Sequence, residues 1–124
     1  MEGLTKSQKA LREKWVEALR SGDYEQTTER LEGPVLDDDG EATSRIGHCC
    51  LGVLCRVIEP EGSISQFRAK PGEGYPPQEI LNEETLAMVG ISLEDQYRLT
   101  NLNDDGVSFE EIADLLEHLP APEK

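Results

Sequence analysis

Apolar residues at Leu11, Trp15, Ala18 and Leu19 follow the i, i+4, i+7, i+8 spacing that lays one stripe along a helix. The stripe predicts a helix over residues 5–20. Its start is marked by Thr5-Lys6-Ser7-Gln8, a capping box in which Thr caps the backbone and Gln reaches back. Ser21-Gly22 marks its end. Residues 24–45 carry no such stripe. There "PVLDDDGEAT" sets Asp39-Gly40 between short segments, and Thr27, Thr28, Val35 and Thr43 tolerate extended backbone. The pattern predicts a small, irregular two-stranded element.

"HCCLGVLCRVI", residues 48–58, is apolar all round and stops at Glu59-Pro60. Periodicity alone does not separate a buried strand from a buried helix. Its length and the proline stop favour a helix, and in either form it is the expected core. Gly52 lowers helix propensity by roughly 1 kcal/mol, which points to close backbone packing at that position. Residues 60–77 hold four Pro and three Gly and read as a long loop. A helix is predicted over 78–89, entered after Pro76-Pro77 and closed by Gly90. Ser92-Leu93-Glu94-Asp95 opens another, with Leu93, Tyr97 and Leu102 expected inside. In the last, Ser108 and Glu111 have capping-box spacing, Val107 and Ile112 form a hydrophobic staple, and Ile112, Leu115, Leu116 and Leu119 supply the buried stripe. The expected fold is mainly α with a small β-hairpin (α+β): a single compact domain over 1–124, of four to five helices, with a flexible tail at 120–124.

Charge narrows the function. Twelve basic against twenty-six acidic residues give a net charge of −14. Residues 1–20 are slightly positive, with five basic and three acidic side chains, so the acidity lies beyond them. Such a surface repels nucleic-acid phosphates and anionic membranes and steers basic proteins toward itself. No stretch approaches the roughly 18 apolar residues of a membrane span. The N-terminus lacks the apolar core of a signal peptide, and three cysteines do not make a disulfide framework. The expectation is a soluble protein of a reducing cell interior.

"NLNDDGVSFEEI" has the rhythm of a calcium loop, with Asn101, Asn103 and Asp105 as ligands and Gly106 in place. Its twelfth position is Ile112, so the bidentate carboxylate is missing; a helix start explains the segment better. A helix–turn–helix reading fails because "HLPAPEK" leaves no room for a recognition helix. His48, Cys49, Cys50 and Cys55 lack the second ligand pair of a structural zinc site. Nothing lowers the thiol pKa for nucleophilic work, and no phosphate-binding glycine loop is present. No metal, cofactor or enzymatic activity is therefore expected. Arg20, Tyr24 and Gln26 in "LRSGDYEQ" offer a guanidinium, a phenol and an amide that could orient an anionic group. The plainer reading has Arg20 facing the carbonyls of its own helix end.

"KWVEALRSGDYEQ", "HCCLGVLC", "GISLEDQYRLTNLND" and "SFEEIADLLE", in that order, resemble a family of small, uncharacterised bacteriophage proteins common in phages of actinobacteria. The resemblance implies an accessory protein made in the cytoplasm of the infected bacterial host; it carries no activity with it. The polar motif residues Arg20, Ser21, Gly22, Tyr24, Gln26, Asn103 and Asp104 become the candidate binding positions. Two expectations follow, and both allow a homo-oligomer. In the first, a non-enzymatic counter-defence protein sequesters a nucleotide-derived immune signal or similar host-derived small molecule. Arg20, Tyr24, Gln26, Asn103 and Asp104 would bind it, in a pocket joining the turn after the first helix to a turn at 101–105. In the second, an acidic inhibitor or DNA mimic blocks a basic host protein, with Asp37-Asp38-Asp39 and the Glu110, Asp114, Glu117 face standing in for phosphates.

Overall fold

The computed structural model describes residues 3–28, 30–69 and 80–121. Among them the order is α1 (Lys6–Arg20), β1 (Glu32–Leu36), β2 (Ala42–His48), α2 (Cys50–Ile58), a 3₁₀ turn at Ser65–Phe67, α3 (Glu83–Val89), α4 (Leu93–Asp104) and α5 (Phe109–His118). Five helices and one antiparallel hairpin make an α+β fold. In α1, Thr5 accepts from the Gln8 N–H and Gln8 returns the bond, so the predicted capping box forms. Ser108 likewise accepts from the Glu111 N–H at the start of α5.

The thiol-bearing segment is the helix α2, at the centre of the core. Leu51, Val53, Leu54 and Cys55 are fully buried. Trp15 of α1 lies against them and donates its indole N–H to the Cys50 carbonyl at 2.8 Å. Gly52 meets the chain entering the hairpin: a Cβ there would stand 1.7 Å from the Leu31 carbonyl oxygen. The helix-weakening residue is thus the one that admits the backbone of another segment.

Three helices bury their faces at the same spacing. The buried sets are Arg12, Trp15, Val16, Leu19 in α1; Gln96, Leu99, Thr100, Asn103 in α4; and Phe109, Ile112, Ala113, Leu116 in α5. Each is an i, i+3, i+4, i+7 stripe. In α1 the stripe begins on a charge. The fully buried Arg12 donates from Nε and Nη2 to the Val89 carbonyl at 3.0 and 2.8 Å, and from Nη2 to Gly90 at 2.6 Å. Its Nη1 donates to Leu116 at 3.4 Å and to Leu119. One guanidinium thus closes the C-terminal ends of both α3 and α5, where carbonyls lack helical partners and a cation is favoured. Burial lowers its pKa, and the charge of Asp95 works in the other direction.

Three expectations are corrected. First, the innermost face of α4 is not the one expected: Leu93 is 46% exposed, Tyr97 and Leu102 are half-buried, and the polar residues Gln96, Thr100 and Asn103 are inside. They are accommodated because each is hydrogen-bonded; Gln96 accepts from the Leu81 N–H at 2.6 Å and donates to the Leu81 carbonyl at 3.3 Å. Second, the helix predicted from residue 78 begins at Glu83. Leu81 is held extended by Gln96 and by its bridge to Arg68, and Asn82 then caps by accepting from the Thr85 N–H. Residues 78 and 79, and the prolines before them, lie outside the described residues. Third, the segment predicted as a long loop with little structure of its own holds a 3₁₀ turn at Ser65–Phe67 and a bridge from Arg68 to Leu81. Ile64 is buried, and Phe67 and Ala69 bond to the backbone of Asn82 and Ile80. Residues 70–77, and 122–124 of the predicted tail, lie outside the described residues.

Gly52→Ala is expected to lower stability by about 3 kcal/mol or more, because the Leu31 carbonyl cannot give way without moving the hairpin. The urea midpoint measures it, and a value equal to wild type would contradict the packing described.

Candidate functional site

The candidate residues leave α1 in sequence. Arg20 ends the helix, Ser21 caps it, and the chain then crosses toward the hairpin. Residues 25–27 run alongside His48: His48 N–H donates to Glu25 and Thr27 N–H donates to His48, each at 2.9 Å. This short parallel bridge carries Gln26 to the C-terminal turn of α4. There Gln26 Nε2 donates to Asn103 Oδ1 at 2.9 Å and to the Val107 carbonyl at 2.7 Å. Asn103 is fully buried. Its Oδ1 also accepts from the Cys50 N–H at 3.2 Å, and its Nδ2 donates to the Thr27 carbonyl at 2.8 Å.

The segments expected to meet therefore do meet, at Gln26 and Asn103. The meeting is an internal hydrogen-bonded joint between the strand-like crossing, α2 and α4. Nor is 101–105 a turn, since residues through Asp104 are helical and Asp105 is the cap. Asn101 and Asn103, read as calcium-loop positions, lie within α4. Asp104 stands half-buried on the next position of that helix.

Arg20 lies apart from this joint. Its guanidinium pairs with Asp114 and Glu117 of α5, whose hydrogen bonds, Glu117 first, raise its pKa. Tyr24 is half-buried and meets the His48 ring edge-on, with centroids 5.6 Å apart and planes at 89°. Behind it lies a group that the sequence did not suggest. His48 Nε2 lies 3.0 Å from Glu32 Oε2, and Arg56 donates to the same oxygen from Nε at 3.0 Å and Nη2 at 2.5 Å. A carboxylate only accepts, so His48 carries its proton on Nε2. Its Nδ1 is buried without a hydrogen-bond partner among the described residues. Arg56 holds Glu32 below its usual carboxylate range against the opposing effect of burial, with His48 helping.

The cysteines lie in the core. Cys49, Cys50 and Cys55 are buried and unbridged. Burial, reinforced by Cys49, drives the Cys50 thiol well above its ordinary value and pushes Cys55 up to about 12. Among the described residues no three His, Cys, Asp or Glu side chains are placed to hold a metal ion, and no helix is long and apolar enough to cross a membrane.

Four acids are held in ion pairs with arginines. Glu25 pairs with Arg45, Glu32 with Arg56, and Asp114 and Glu117 with Arg20. At the hairpin tip, Asp37, Asp38, Asp39 and Glu41 are exposed and form no ion pair among the described residues. Asp37 Oδ1 accepts the N–H groups of Asp39 and Glu41, each at 2.9 Å, which fixes the turn and leaves the other carboxylates in solvent.

Fold and site together define a small α+β protein whose motif amides join its own segments and whose hairpin tip carries four exposed acids without an ion pair among the described residues. Residues 7–86 match the family described as Domain of unknown function (DUF8296), and the chain belongs to that family. No curated protein and no solved structure matches it.

The Glu32 pair gives a pH prediction. The carboxyl titrates lower when folded than its ordinary 4.5, so its contribution is complete above that value and lost as pH falls through the folded one. Glu32→Gln is expected to cost about 1 kcal/mol at neutral pH. The gap from wild type should close as urea unfolding is repeated at successively lower pH; a gap that persists in acid would contradict the assignment.

Proposed function

We propose that this is a non-enzymatic bacteriophage accessory protein, working in the cytoplasm of the infected host, that blocks a basic host protein by direct binding. The observation supporting this reading is the hairpin tip, with four carboxylates that form no ion pair among the described residues. On the other face of the second expectation Arg20 occupies Asp114 and Glu117 and leaves Glu110 exposed, so that face offers a weaker negative field than the sequence suggests. The tip projects its charge on a ribbon, where it steers a cationic partner and remains accessible on contact.

Sequestration of a nucleotide-derived signal is the second reading. It draws support from a groove of about 930 Å³ between α1 and α5, where Lys9, Arg20, Ser21 and His118 share the lining with the acids Glu13, Glu17 and Glu117. That volume suits a small ligand. An anion entering it would have to displace Asp114 and Glu117 from Arg20, and Gln26 and Asn103 bond to one another away from it, so this reading stands second.

The test is affinity capture from host lysate with three chains: wild type, Asp38→Asn/Asp39→Asn/Glu41→Gln, and a control with the same charge change at Glu13, Glu17 and Glu61. A basic protein retained by wild type and control but lost, by about tenfold or more, from the hairpin variant is the expected result. Equal retention by all three would overturn the proposal. A thermal midpoint raised by cyclic nucleotides or ADP-ribose would transfer the assignment to the groove.

A further inference from the structure

We draw no further inference here: the strongest candidate, the groove between α1 and α5, belongs to the second reading already given, and its polar lining consists of exposed or half-buried side chains of both charges, with no buried, unpartnered group among the described residues to say what it would take.

Discussion

The arrangement of the helices depends on one buried cation. Arg12 reaches from the middle of α1 to the carbonyls that end α3 and α5, and so joins three elements at a single point. An unpaired guanidinium in this position would be prohibitively costly, since isolated buried charge is strongly disfavoured. Convergent carbonyls, two helix ends and the distant charge of Asp95 make it tolerable. The requirement runs both ways: the helix ends need donors once they are buried, and the donor needs both ends in place. That mutual need explains why α3, of only seven residues, can stop against α1 with its terminal carbonyls satisfied.

The same logic is repeated in neutral form by α4. Gln96 holds the extended backbone at Leu81, and Asn103 holds Thr27, Cys50 and Gln26. The interior is thus organised by three side chains that would ordinarily be placed on a surface. Buried polar groups persist when every partner is present and become liabilities when one is missing. Such joints favour one arrangement of the segments over others of similar apolar burial.

This also explains what could and could not be seen in the amino-acid pattern. The capped ends of α1, α4 and α5, the helix through the cysteines and the close approach at Gly52 were legible because each rests on local chemistry. The inward face of α4 was not, since a reading that seeks apolar residues selects Leu93 and Tyr97 and passes over Gln96 and Asn103. In α1 the same preference selected Leu11 and Ala18 and passed over Arg12, although Arg12, Trp15, Val16 and Leu19 have the spacing seen in α5. A shared stripe across several helices was the missed signal. At the candidate site, the meeting of Gln26 with Asn103 was legible, but its saturation by internal partners was not. The Glu32, His48 and Arg56 group required the hairpin register, which no local pattern supplies.

What emerges is an interior that uses its polar motif residues for assembly, with exposed acids on the hairpin and on the outer faces of the helices. The central element of this account is the Arg12 joint, and Arg12→Lys tests it most directly. Lysine keeps the charge but presents a single ammonium that cannot span both helix ends. Urea unfolding at neutral pH is expected to show a loss of about 3 kcal/mol. A stability within about 0.5 kcal/mol of wild type would contradict the account, because it would mean that the fold does not rely on one planar donor joining α1, α3 and α5.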